Sequence, residues 1–168
     1  ADRGRFYGDV RLYDDEGTGI HFYTNREDTI ADQEMTVELS RIDLKQFKKV
    51  LPYLPDVEGW LGGSAHYVDS EGQMMLSADV SLDHFVYEKS PLGNWAMNGV
   101  YLPGDNNTHH VDGFIMHNDQ EIMYMNGIYQ TDETGQENIT GELELQHFPL
   151  WVINPFVPDK MVEFTGDI

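Results

Sequence analysis

The sequence predicts an all-β, mainly antiparallel fold, an elongated curved sheet or a flattened sandwich carrying two short helical insertions. Three observations predict it. Apolar and polar residues alternate over long stretches, the pattern of strands wet on one face. Tetrads that open with Asp and close with Gly recur between those stretches, where Asp can satisfy backbone donors and Gly can take positive φ. One phrase also occurs twice, Pro52-Tyr53-Leu54-Pro55-Asp56 and Pro155-Phe156-Val157-Pro158-Asp159. Each copy follows an apolar-x-Leu-x-x-(Ile/Phe) run, Val37-Leu39-Ile42 before the first and Leu143-Leu145-Phe148 before the second; Val80-Leu82-Phe85 is a third, partial copy. Self-similarity at a long period marks a chain that grows by stacking like units. Residues 1–168 are therefore expected to form one repeat-built domain, with units near 32–63 and 138–168 and a partial unit near 73–103.

Taken in order, Asp14-Asp15-Glu16-Gly17 predicts the first hairpin turn, and Met35-Val37-Leu39, set against Glu34, Thr36 and Glu38, predicts a strand. Asp43 can cap a short helix over Leu44, Phe47, Val50 and Leu51, with Lys45, Lys48 and Lys49 on its other side and Pro52 as the stop. Asp69-Ser70-Glu71-Gly72 is a second turn. After it, Met74-Leu76-Ala78-Val80-Leu82 alternates with Ser77, Asp79, Ser81 and Asp83. Gly104-Asp105-Asn106-Asn107 makes a connection and Asn118-Asp119 a tighter turn. In the stretch from Ile122 to Tyr129, Ile122, Tyr124 and Ile128 are expected on one face and Met123, Met125 and Tyr129 on the other. Asp132-Glu133-Thr134-Gly135 precedes a last strand carrying Ile139, Leu143 and Leu145. Pro149 suits a first helical position, so Leu150 to Ile153 are expected to form one turn ahead of Pro155. The apolar side chains of both insertions are expected to plug an end or edge of the sheet. The count is nine or ten strands in a meander.

Composition excludes several functions. The chain has 168 residues, 30 acidic against 10 basic, a formal charge of -20 and a pI near 4.3. Such a surface repels phosphate backbones, so nucleic acid is a poor partner. The absence of cysteine rules out disulfides and thiol chemistry. No run of about 18 apolar residues could span a bilayer as a helix, and the termini suggest a slice of something longer.

Reactive motifs are missing too. There is no Gly-x-Ser-x-Gly elbow, no phosphate-cradling glycine loop and no His-Glu-x-x-His. Of seven histidines only His109 and His110 adjoin, and neighbours in a strand point to opposite faces. No catalytic residue, metal site or cofactor is expected. What remains is an apolar surface: Met74, Leu76, Val80, Leu82, Ile139, Leu143 and Leu145 could line a groove that shields acyl chains, each buried CH₂ contributing about 0.8 kcal/mol. Eight methionines suit such an adaptable lining. A second possibility is a stand-alone β-sandwich or barrel that binds a small ligand or glycan on Trp60, Trp95 and Trp151; a hydrolase is a weaker third.

From Leu51 onward the residues carry a resemblance. Leu51-Pro52-Tyr53-Leu54-Pro55-Asp56-Val57-Glu58-Gly59-Trp60-Leu61-Gly62-Gly63, then Phe85-Val86-Tyr87, Leu92-Gly93-Asn94-Trp95, Val100-Tyr101-Leu102-Pro103-Gly104 and Phe148-Pro149-Leu150, closing on the second proline phrase, are similar to a segment of the TamB translocation and assembly module proteins, in particular the TamB-like proteins of Bacteroidetes-type Gram-negative bacteria. The resemblance covers about two thirds of the chain. It implies an AsmA-like protein of the periplasm, held in the inner membrane by a helix outside this segment. In that family a taco-shaped β-sheet encloses an apolar groove for phospholipid, and some members work with outer-membrane assembly proteins through other regions. A non-enzymatic envelope segment is the function this implies.

Overall fold

The computed structural model describes residues 6–24, 32–105, 107–131, 134–157 and 163–168. Its strands are β1 (Asp9–Tyr13), β2 (Gly19–Thr24), β3 (Gln33–Asp43), β4 (Val57–Ser70), β5 (Gln73–Tyr87), β6 (Ser90–Pro103), β7 (Thr108–His117), β8 (Gln120–Thr131) and β9 (Glu137–Leu145). A short helix α1 (Lys45–Val50) follows β3, and a 3-10 helix (Leu150–Phe156) follows β9. The nine strands form one antiparallel sheet in the order of the chain, so each strand pairs with its sequence neighbours. The sheet is open and curved. Of the two architectures that alternation allowed, the structure is therefore the curved sheet, and among the described residues no second sheet packs on it.

The turns follow local chemistry. Asp14 Oδ1 accepts from the backbone N–H groups of Glu16 and Thr18 at 2.9 and 2.8 Å, and Gly17 takes φ 80°. Asn118 and Asp119, both at positive φ, join β7 to β8. At the second turn a distant Asp contributes an acceptor: Asp32 Oδ2 takes the Glu71 N–H at 2.8 Å. The opening residues of the third tetrad, Asp132 and Glu133, lie outside the described residues; Gly135 has φ 81°. Glu88 and Lys89 make a further tight turn, both at positive φ without a Gly or Asn. Glu88 is held there by Asp56, each accepting from the other's backbone N–H, at 2.8 and 2.9 Å.

The recurring apolar-x-Leu-x-x-(Ile/Phe) spacing has a structural meaning. Residues two apart share a face of a strand, so a residue three further on should fall on the opposite face. A β-bulge inserts one extra residue and restores it. The register shifts between Leu39 and Ile42 and again between Leu82 and Phe85, and the residue before the final apolar one sits at positive φ in all three copies: Arg41 at 49°, His84 at 53° and His147 at 52°.

Beyond that point the two longer copies differ. Asp43 Oδ1 accepts from the Lys45 N–H at 3.0 Å, as its capping role predicts, and Pro52 to Asp56 form an irregular turn after α1 in which Tyr53 is exposed. In the second copy the helix does not stop before Pro155. It runs through Pro155 and Phe156, because a proline φ near −65° fits 3-10 geometry and Asn154 is clamped by Phe164, its Nδ2 donating to the Phe164 carbonyl at 2.9 Å and its Oδ1 accepting from the Phe164 N–H at 2.7 Å. Pro158 and Asp159 lie outside the described residues. The expected plug is one-sided as well: Val152 of the 3-10 helix is buried, whereas Phe47 of α1 is exposed.

The two faces of the sheet differ in chemistry. Directly opposed residues of an antiparallel pair share a face, so the register traces rows across it. One row on the apolar face runs Phe22, Val37, Ala65, Ala78, Gly99, Gly113, Met125 and Leu143; the next runs Ile20, Leu39, Gly63, Val80, Met97, Ile115, Met123 and Leu145. The opposite face is polar and acidic. There Tyr23 donates to Glu38 at 2.9 Å, His21 Nε2 meets Asp9 at 2.9 Å, and Asp112 accepts from Tyr124 at 2.7 Å and Asn126 at 3.0 Å.

The Asn126 and Tyr124 donors hold the Asp112 carboxyl below the usual carboxylate range, and the same bond from Asp112 pushes the Tyr124 hydroxyl up. A depressed folded-state pKa contributes stability that is present above about 3.9 and lost as pH falls through the folded value; the raised Tyr124 contributes below about 10 and is lost as pH rises through its folded value. The gap in urea midpoint between the wild type and Asp112→Asn is thus expected to be largest near neutral pH and to narrow as pH falls below about 4. It stays small, because the pair is exposed. A gap that widens in acid contradicts the assignment.

Candidate functional site

A sheet with one apolar face ordinarily buries it against a second layer. Here, apart from Pro149, the only buried apolar side chains among the described residues are Leu92, Ile122 and Val152. The accessible surface is 11871 Å², against roughly 8,500 Å² for a compact protein of this mass. Most of the apolar face is therefore open to solvent, including Leu76, Met97, Met125 and Leu143, the last 61 % exposed. Contiguous exposed apolar surface on this scale marks a binding surface. It is the candidate site.

The 3-10 helix covers one end of this face. Between helix and sheet lies a recess of about 350 Å³, bounded by Val80, Leu82 and Phe85 of β5, Trp95 and Met97 of β6, Ile115 of β7, and Val152 and Phe156 of the helix. Leu92 forms its floor at 2 % exposure. Beside it His117 is buried, its ring 4.7 Å from that of Trp95 and 5.9 Å from that of Trp151. Both Trp95 Nε1 and His117 Nε2 reach the Leu92 carbonyl at 2.9 Å, which satisfies the polar atoms and leaves an apolar lining. Phe156 also packs on Tyr87, with ring centroids 4.5 Å apart.

At the far end of the strands the same face ends in a polar aromatic cluster. Tyr101 Oη lies 2.7 Å from His109 Nδ1 and the two rings stack at 5.9 Å; Tyr129 flanks His109 at 5.6 Å. Tyr129 Oη accepts from Thr131 at 3.1 Å.

All seven residues expected to line a groove fall on the apolar face. Met74, Leu76, Val80 and Leu82 share it along β5; Ile139, Leu143 and Leu145 are brought to it by pairing with Tyr129, Met125 and Met123. Only Val80 and Leu82 reach the recess. Of the proline phrases, Pro155 and Phe156 belong to the 3-10 helix over the recess, while Pro52, Tyr53, Pro55 and Asp56 lie at the same end of the sheet, Asp56 paired with Lys48. The three tryptophans form no common platform: Trp95 and Trp151 flank His117, whereas Trp60 lies on the polar face beneath Arg41, 5.2 Å from its guanidinium carbon.

Two buried residues of the covered end escape sequence reasoning. Ile122 was expected beside Tyr124 and Ile128, but a bulge between Ile115 and Met116 skips it in the pairing and buries it at 1 % exposure near His117 and Trp151. Leu92 follows a tight turn and precedes Gly93 at φ 81°, so no alternation marks it. Among the described residues no three His, Asp or Glu side chains converge as metal ligands, and no helix is long and apolar enough to cross a membrane. Comparison with protein-family models, with curated proteins and with solved structures finds no match.

Proposed function

We propose that this chain is a non-enzymatic segment of a TamB-like envelope protein, working on the periplasmic side of a Gram-negative inner membrane and using the apolar sheet face to shield phospholipid acyl chains in transit or during outer-membrane assembly. One observation carries the reading: an apolar face spans nine strands and, among the described residues, only one end of it is covered. Such a surface is costly in water, and acyl chains are a chemically matched cover at about 0.8 kcal/mol per buried CH₂. A conduit of this kind requires continuity and no reactive group. The acidic outer face limits adhesion to anionic headgroups outside the groove.

The test is site-specific photocrosslinking in cells. A photoreactive residue at Leu76 or Leu143 is expected to capture phospholipid, and one at Asn98 or Glu142, on the polar face, is not. Leu143→Asp should lower the phospholipid that co-purifies while leaving the fold intact, since that side chain is mostly exposed. Equal capture from both faces, or none from either, removes the proposal.

A further inference from the structure

We propose that the recess beneath the 3-10 helix seats the methyl end of a single fatty-acyl chain whose uncharged or zwitterionic head lies at Tyr101, His109 and Tyr129. This rests on the reading of the face as an acyl-binding surface and adds a polarity to it, with a distinct subsite for each end of the ligand.

The recess sets the tail end. Its volume of about 350 Å³ lies near the bottom of the roughly 300–1,000 Å³ range of ligand pockets, so it admits a segment of one chain and not a whole diacyl lipid. The Leu92 carbonyl is already bonded to Trp95 and His117, so nothing polar is left there to hold a head group. From Trp95 to Tyr101 the strand advances six residues, about 20 Å at the rise of an extended chain. One leaflet of a bilayer has about 15 Å of hydrocarbon, so an ordinary acyl chain covers most of that path. Between the two ends Ala78, Gly99 and Gly113 sit side by side and leave a shallow track.

The aromatic cluster sets the head end. Tyr101 occupies His109 Nδ1, and His109 Nε2 has no partner among the described residues, so the half-buried ring retains one polar atom for a ligand. Charge chooses the head. No Lys or Arg stands at a paired position of the apolar face in the described strands, and the chain carries a net charge of -20, so an anionic head is repelled whereas a neutral or zwitterionic one is not.

The tryptophans supply the readout. Trp95 lines the recess, Trp60 lies on the other face, and Trp60→Phe with Trp151→Phe leaves Trp95 as the sole emitter. The probe is a lysophosphatidylcholine brominated near the methyl end or near the glycerol, since bromine quenches indole emission on contact. Loss of Trp95 emission with the methyl-end label and its retention with the glycerol-end label is the expected result. The same lipid with an anionic head, lysophosphatidic acid, is expected to bind more weakly by native mass spectrometry. Equal or reversed quenching overturns the polarity, and equally tight binding of the anionic lipid overturns the head assignment. Stoichiometric binding without quenching by either label places the chain outside the recess and leaves the broader acyl-binding reading standing. No binding by any lipid removes both. Repeating the comparison on the unsubstituted chain, with Trp60 and Trp151 as background, keeps the test valid should the double variant fold poorly.

Discussion

Gly63→Ala is expected to cost more stability than any other alanine substitution of a glycine on the apolar face, and Gly99→Ala, two strands away, close to nothing. Gly63 has φ 136°, a conformation open to glycine alone, and a Cβ there would lie 2.1 Å from the Asp79 carbonyl oxygen and 2.8 Å from the Val80 Cα. Both obstacles are backbone, so no side chain can swing aside. The conformational strain alone amounts to about 1–3 kcal/mol, and relief of the clash requires β4 to lift from β5 at the centre of the sheet. A domain of this size has only about 5–15 kcal/mol in total. Gly99 faces nothing nearer than 3.7 Å, an ordinary contact. Replacing it with alanine reduces the freedom of the unfolded chain, an effect of about 0.4–1 kcal/mol in favour of the fold. Urea midpoints of the two variants provide the check, and similar values would show that β4 and β5 are not in close contact at Gly63.

The contrast between these glycines illustrates what could be learned before the structure. Alternation along Met74 to Leu82 and Asp-to-Gly turns such as Asp14 to Gly17 are local signals, and local signals predicted the meander and the face on which each of the seven groove candidates lies. The tight turn at Glu88 and Lys89 gave no such signal. Its positive φ values are sustained by Asp56, 32 residues away, whose carbonyl accepts from the Glu88 N–H and whose N–H donates to the Glu88 carboxylate. Ile122 was misplaced for a related reason: strict period-two counting assumes an unbroken ladder, and the bulge opposite Ile115 and Met116 breaks it. The bulge signature of Val37-Leu39-Ile42 was visible as a spacing, but its cause emerges only with Arg41 and His84 in the left-handed region. The recess was least accessible of all, because Val152 and Phe156 reach Leu82 and Leu92 only after the chain returns from the far edge of the sheet.

Leu92→Ala is expected to lower stability by about 2–5 kcal/mol, a large effect for a single side-chain truncation in this sheet. The reason is scarcity. Where a compact domain spreads burial over many residues, only Leu92, Ile122 and Val152, besides Pro149, are buried apolar groups among those described, so each carries a large share. Leu92 also joins both layers of the covered end, touching the recess walls while its carbonyl anchors Trp95 and His117. Truncation leaves those two hydrogen bonds in place but removes the floor beneath Val152, so the 3-10 helix loses its seat. Leu143→Ala makes the opposite case: that side chain is 61 % exposed, and its loss should leave the urea midpoint nearly unchanged. A ligand that binds only the folded chain raises stability in proportion to the logarithm of its concentration above Kd. Saturating lysophosphatidylcholine should therefore stabilise Leu143→Ala less than the wild type, because an acyl-contacting surface has been cut back. The pair separates what holds the sheet together from what the sheet holds: a midpoint loss confined to Leu92→Ala, with a binding deficit in Leu143→Ala, assigns packing to the covered end and ligand contact to the open face, whereas equal stability losses in both would mean that the open face is buried in solution.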